Sequence, residues 1–222
     1  MTRQKVITLR AAGAVAVPTT EYGLFGTQKV SSTATSTTSN KLVDTAGNFT
    51  VNAIAVGDVI KNTTTGKYAL VTAIDSATQL SVGADIFSST NAYVIYPGLG
   101  YDLSSDGAVY KELSAQLDLT AAATDATDTL DVYLDTSYDN GVTWVNLGHF
   151  AQMLGNGGAK RYVMTITANS PGTSAIDVSS DAAAAAIRQI GFGTRLRYRA
   201  VVVDASTQNV SFNFTLKLSL KT

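Results

Sequence analysis

With 222 residues, sixteen basic and seventeen acidic side chains and a formal net charge of −1, the chain has room for one large β-domain or two modest ones, each with its own core. So even a balance, with 15% charged residues, excludes a broad field for gripping nucleic acid or an anionic membrane. Cysteine is absent, which excludes disulfides and thiolate metal centres.

The opening MTRQKVITLRAAGAVAV places Arg3, Lys5 and Arg10 ahead of a short apolar stretch. Seven small and β-branched residues make a poor signal core, and no run approaches the roughly 18 apolar residues that span a bilayer. The expectation is a soluble chain with no export signal. SSTATSTTSN at 31–40 has neither charge nor apolar period, so residues 1–40 read as an N-terminal arm followed by a Ser/Thr-rich linker.

From 41 to 98, GDVI, KYALVTAI, TQLSV and AYVIY read as short strands separated by polar turns. Few strands in few residues suit a small closed or half-closed β-barrel module. PGLG at 97–100 marks the next boundary.

Residues 99–222 alternate with period two. In VSFNFTLKLSL, Val210, Phe212, Phe214, Leu216, Leu218 and Leu220 share one face, and KELSAQLDLT, TLDVYLD and RLRYRAVVV alternate likewise. Several half-buried strands predict a two-sheet β-sandwich of jelly-roll type, and the fold class is all-β. One exception is expected: DAAAAAIRQIG, with Asp181 as N-cap and Gly191 as stop, predicts a short surface helix.

SYDNGVTW at 137–144 has the S-x-D-x-G-x-T-W spacing of the Asp-box found in sialidases and many non-enzymatic β-proteins. Its physics is local. Asp139 would accept backbone N–H bonds across a turn, and Gly141 would adopt a conformation that a Cβ resists. Ser137 would add a second bond while Trp144 packs on the flanking strand. One copy cannot build a propeller, so the motif reads as a structural hairpin.

Other candidates have plainer readings. His149 is the sole histidine and reads as an edge-of-core residue rather than a zinc ligand or catalyst. Asp125, Asp128 and Asp131 lack the ligand density of a calcium loop and read as a solvated turn. Arg195, Arg197 and Arg199 line one strand face. They would pair with Asp131 and Asp135 if those strands are neighbours, or else meet an acidic partner. From residue 99 onward acidic side chains outnumber basic ones twelve to nine, which argues against DNA. No nucleophile elbow, phosphate loop or zinc-helix motif is present, so the reading has no catalytic residue, cofactor or metal, and the chain reads as a non-enzyme.

Two stretches carry a resemblance. AVGDVIKNTTTGKYALVTAIDSATQLSVGADIFSSTNAYVIY (55–96) resembles a β-module of tailed-bacteriophage structural proteins. The region from Leu117 to Leu220, with its S-x-D-x-G-x-T-W hairpin and R-L-R-Y-R-A-V-V strand, is similar to the sandwich domains of phage capsid decoration (cement) proteins. The resemblance implies a location on the outer capsid surface of a virion, the major capsid protein as partner, and a homo-oligomer, dimer or trimer. In that setting the arm, through Arg3, Lys5, Ile7 and Leu9, would add a strand to a neighbour and dispense with a fold of its own. The alternative is a receptor- or glycan-binding module of a tail, neck or head fibre, using exposed Tyr22, Tyr101 or Tyr138. A glycosidase would need two facing carboxylates, which no spacing announces.

Overall fold

The computed structural model describes residues 4–105, 107–123, 125–168, 175–205 and 210–222, and among them all regular structure is β. Contacts divide the chain into two compact units: Met1–Pro18 with Tyr101–Thr222, and Thr19–Gly100. In the first unit lie β1 (Gln4–Arg10) and β2 (Ala14–Val15). The second unit holds β3 (Thr19–Tyr22), β4 (Val30–Thr33), β5 (Lys41–Val43), β6 (Val59–Asn62), β7 (Tyr68–Ser76), β8 (Gln79–Val82) and β9 (Ala92–Tyr96). The chain then completes the first unit with β10 (Tyr101–Asp102), β11 (Glu112–Ala121), β12 (Thr129–Ser137), β13 (Val145–His149) and β14 (Met153–Leu154). After these come β15 (Lys160–Thr167), β16 (Ala186–Ile187), β17 (Arg195–Val203) and β18 (Phe212–Lys221).

The first unit is a sandwich of two antiparallel sheets. One has the order β1-β18-β11-β15, with β2 also on β18; the other runs β10-β17-β12-β13-β16, with β14 also on β12. Alternation decides which way each strand faces. Phe212, Phe214, Leu216, Leu218 and Leu220 are sealed, as are Leu113, Ala115 and Leu117 beside them and Leu130, Val132 and Leu134 in the other sheet. Each such Leu or Phe contributes about 1.5–3 kcal/mol. The sheets meet closely at Gly148, where an added Cβ would stand 2.9 Å from the Met164 sulfur. A side chain at 148 would push β13 off β15.

The second unit is a curled half-barrel, one sheet in the order β4-β9-β6-β7-β8-β5. Its curl follows from β7. Tyr68–Leu70 pair with β6, whereas Val71–Ser76 pair with β8 through two register shifts. Such bulges bend and twist a strand, so the sheet rolls instead of spreading. The two edges approach each other at the Ser36↔Val43 bridge, where Thr35 N–H donates to the Val43 carbonyl at 2.8 Å. Leu42, Phe49, Ile60, Leu80, Tyr93 and Ile95 fill the interior.

Three expectations change. The arm is not separate: β1 pairs along β18 from Gln4↔Lys221 to Arg10↔Leu216, which places it inside the sandwich. Its partner lies at the far end of the sequence, beyond any local reading. The Ser/Thr linker is partly β4, paired with β9, with Ala34 buried. Main-chain pairing needs no apolar side chain, and Thr tolerates the strand well. The first boundary therefore falls at Thr19 and not at 41. Finally, 181–191 forms no helix. Ala186–Ile187 pair with β13, and Ala185 has φ +61°, so tertiary contacts override the alanine propensity.

Candidate functional site

The outer side of β12, β13 and β17, away from the sandwich core, carries the densest polar chemistry of the first unit. In the register of β12 with β17, Asp135 stands opposite Arg197 and Tyr133 opposite Arg199. The outward side chains of these neighbours meet because strand periodicity sends alternate residues to one face. Arg197 donates from Nε to Asp135 at 3.1 Å, and Arg199 donates from Nε to the same oxygen at 2.7 Å. Asp135 is 2% exposed and also accepts from Asn146 Nδ2 at 3.1 Å. A carboxylate this deep is held by three donors from two neighbouring strands.

Arg199 reaches further, to Asp181 Oδ1 at 2.6 Å. Burial works against its charge, but the hydrogen bonds and charges of Asp135 and Asp181 outweigh it and raise its proton affinity above the ordinary value. Arg195 takes another path and lies 3.4 Å from Asp102. Asp131 meets no arginine in this ladder. Its Oδ1 lies 2.9 Å from His149 Nε2, and its Oδ2 accepts from Gln152 Nε2 at 2.9 Å.

Rings and guanidinium groups stack over this face. Arg197 lies 4.4 Å from the Trp144 ring centre and Arg199 4.4 Å from that of Tyr133. Tyr133 in turn stacks on His149, with centroids 4.1 Å apart. Burial, reinforced by Asp131 and Asp181, pushes the Tyr133 hydroxyl up from its ordinary pKa.

The chain closes part of this face itself. Ala182 N–H donates to Asn146 Oδ1 at 2.9 Å, and the Ala182 carbonyl lies 3.2 Å from His149 Nδ1. Arg188 Nη2 donates to the Ser180 carbonyl. His149 is thus buried on the covered polar face, and not at the edge of the apolar core as the sequence suggests. Asp131 and His149 have the spacing of a carboxylate–imidazole pair. A general base, however, must turn its second nitrogen toward a reacting group, and here a backbone carbonyl occupies that position. Asn146 and Asp181 complete the network; Asn146 was not singled out in the sequence, and Asp181, read there as a helix N-cap, pairs with Arg199 instead. The one signal for Asn146 is an amide in the otherwise apolar strand VNLG.

The hairpin at 137–144 is a hydrogen-bonded knot. Ser137 Oγ donates to Asp139 Oδ1 at 2.8 Å and accepts from Gly141 N–H at 2.7 Å. Asp139 also accepts from Thr143 N–H at 2.8 Å and Thr143 Oγ1 at 2.6 Å. Gly141 has φ +95°, a conformation that L side chains resist. The Thr143 hydroxyl and N–H and the Ser137 hydroxyl hold the Asp139 pKa down at about 2.

The remaining candidates lie apart. Asp125 Oδ1 caps its own turn by accepting from Thr127 N–H and Oγ1, and Asp128 is buried and accepts from Ala205 N–H. Among the described residues, no three acidic or histidine side chains converge to hold a metal. Lys5, Ile7 and Leu9 sit in β1 against Leu220, Leu218 and the bulge before Leu216, which corrects their reading as a free docking arm. Arg3 lies outside the described residues. Tyr138 is exposed on one side, yet its hydroxyl donates to the Ile190 carbonyl at 2.7 Å; Tyr22 and Tyr101 are half-buried. Neither a protein-family model nor a curated protein matches the sequence.

Proposed function

We propose that the chain is a non-enzymatic structural protein of a tailed-bacteriophage virion, a decoration protein that binds the outer capsid surface and bridges adjacent capsid subunits as a homo-oligomer. The observation that carries this reading is the contrast between the two outer faces of the sandwich. One is occupied by an internally satisfied charge network and partly closed by the chain's own 180–188 segment. The other, on β1-β18-β11-β15, is open and carries serine and threonine mixed with valine, lysine and glutamine in rows. Val6, Ser219, Ser114 and Thr165 form one row; Thr8, Lys217, Gln116 and Val163 form the next. A rigid face of this kind suits a lattice contact in the standard range, roughly 1,200–2,000 Å² in total.

Strand winding supports the same reading. With the two-residue β2, β14 and β16 set aside and β1, β10, β11, β12, β13, β15, β17 and β18 counted as first to eighth, the sheets read 1-8-3-6 and 2-7-4-5, an order that supports a jelly-roll-like winding. The half-barrel is inserted between the first and second of these strands. Jelly rolls recur in capsid and lectin domains, so the test has two arms. Purified protein is sedimented with undecorated shells of the virus that encodes it, and separately applied to a glycan panel. Saturable shell binding at fixed stoichiometry is expected. Glycan binding without shell binding would overturn the decoration reading in favour of a fibre module.

A further inference from the structure

The geometry points to a two-fold pairing of this chain with a second copy of itself through β15, which joins the two β1-β18-β11-β15 sheets into one continuous sheet. The pairing deepens the homo-oligomer part of the reading above, but it is measured without shells, so either can fail alone.

β15 is an edge. Among the described residues it pairs with β11 alone, in an unbroken register from Glu112↔Thr167 to Leu119↔Lys160. Ala168 N–H donates to the Lys111 carbonyl at 2.7 Å, which fixes the phase of the ladder. Even-numbered residues of β15 turn their main-chain groups toward β11. Arg161, Val163, Thr165 and Thr167 therefore turn theirs outward. Such an edge is a ready template for another strand.

The other edge strands of the described sheets are shorter, and one carries a register shift. β1 is bent by a register shift between Thr8 and Arg10, and the Arg10 guanidinium folds back to the Phe214 carbonyl at 2.6 Å and the Gly13 carbonyl at 3.0 Å. β10 and β16 are two residues long. In the half-barrel, the edge strands approach each other. Of the edge strands of the described sheets β15 is the longest, its register is unbroken, and its charges, Lys160 and Arg161, are confined to one end.

That one-ended charge selects the partner and the register. In an antiparallel pair centred on Met164, Arg161 lies opposite Thr167 of the second copy and Val163 opposite Thr165. No like charges meet. Beyond that Thr167, the next strand of the second copy presents Glu112, while on its own side Arg161 already pairs with Asp118. That Glu112 is paired with Lys221 of its own copy, so the partner that neutralises each Arg161 is Asp118. The inward rows match too, with Tyr162 facing Ile166 of the second copy, an aromatic–β-branched pair of the kind that stabilises sheets. Val163, 62% exposed, would be covered against a threonine. Beside this edge a cleft of about 200 Å³, lined by Thr165, Ile166, Thr167, Ile187, Arg188 and Gln189, leaves room for the second copy's Tyr162. The register adds about eight main-chain hydrogen bonds.

The experiment is light scattering of the full chain at micromolar concentration, with three variants. Wild type is expected to be a dimer, or an even-numbered assembly of dimers. Val163→Pro removes one outward N–H without touching the ladder to β11 and should weaken association at least tenfold at unchanged thermal midpoint; Val163→Lys tests the same edge should the proline variant fail to fold. Because the chain has no cysteine, Met164→Cys should form a symmetric disulfide under mild oxidation, while Val6→Cys on the other edge strand should not. A monomeric wild type, an oligomer indifferent to both Val163 variants, or a dimer in which Met164→Cys does not cross-link would each overturn the pairing.

Discussion

His149 and Asp131 face each other across 2.9 Å on the outer side of a sheet whose inner side is the apolar core, and both are largely sealed from water. The imidazole lies between that carboxylate and the Ala182 carbonyl. It therefore ties β12 and β13 to the 180–188 segment. Replacing His149 by Ala is expected to cost about 1–3 kcal/mol, since it strands a buried carboxylate oxygen and a carbonyl. Limited proteolysis separates this tie from a merely space-filling role. Cleavage within 180–188 should accelerate in His149→Ala well before the rest of the sandwich becomes susceptible, and uniform susceptibility would contradict the tie.

Asp135 carries a heavier load because it balances two guanidinium groups. Removing one partner of a buried charge network leaves the others uncompensated, at a cost of about 3–5 kcal/mol. Asp135→Ala should therefore lower the urea midpoint by more than His149→Ala does. Trp144 is the only tryptophan and stacks on Arg197, so its emission reports this face directly. An unchanged midpoint would mean that Arg197 and Arg199 find other partners at no cost.

Much of this face was legible in advance. Arg195, Arg197 and Arg199 alternate on one strand, Asp131, Tyr133 and Asp135 on another, and opposite charges at period two imply adjacency. What the pattern could not show is that Arg197 and Arg199 converge on Asp135, while Asp131 turns to His149. That depends on β13 lying on the far side of β12, a three-strand arrangement with no local signature. The alanine run was misleading for a related reason. Ala182 uses its N–H and carbonyl to bond Asn146 and His149, and a helix starting at Asp181 would have consumed that carbonyl. Core strands such as β18 and β11 were plain because each is half-buried along its whole length. The half-barrel was legible as strands but not in extent, since polar Ser31–Thr33 pair through their main chain alone.

The Asp139 knot has a pH signature. Its folded pKa of about 2 lies below the ordinary aspartate value of about 3.9. The sign follows from linkage: the contribution is fully present above the ordinary value and is lost as pH falls through about 2. Protection of the Thr143 amide from hydrogen exchange, corrected for intrinsic rates, should hold from pH 7 to about 4 and fall as pH approaches 2. In Asp139→Asn that acid step should disappear. A step surviving in the variant would assign it to another carboxylate.

In the half-barrel, the Tyr93 hydroxyl donates to Asp44 Oδ2 at 2.7 Å inside the core. Burial alone would raise the Asp44 pKa, but hydrogen bonds from Ser32, Tyr93 and the Ala46 N–H outweigh it and hold the carboxyl below its ordinary value. Tyr93→Phe keeps the ring contacts with Phe49 and Phe87 and removes one donor. A loss of about 1–3 kcal/mol is expected in this unit, read as faster amide exchange in β8 with Trp144 emission unaffected. Equal loss in both units would mean that they unfold as one.

Deleting residues 1–10 tests the corrected place of the N-terminal strand. A free arm could be removed without harm, whereas β1 contributes the buried Leu9, half-buried Ile7 and the ladder along β18. Leu9 alone accounts for about 1.5–3 kcal/mol, and at about 2–4 °C per kcal/mol for a chain of this size the thermal midpoint should fall by at least about 3 °C. The deletion also bares β18, whose inner row is continuous Phe and Leu, as a new open edge. Aggregation on warming should therefore begin earlier than in the full chain. A truncated protein with an unchanged midpoint and no added aggregation would show that β1 lies on the sandwich without stabilising it.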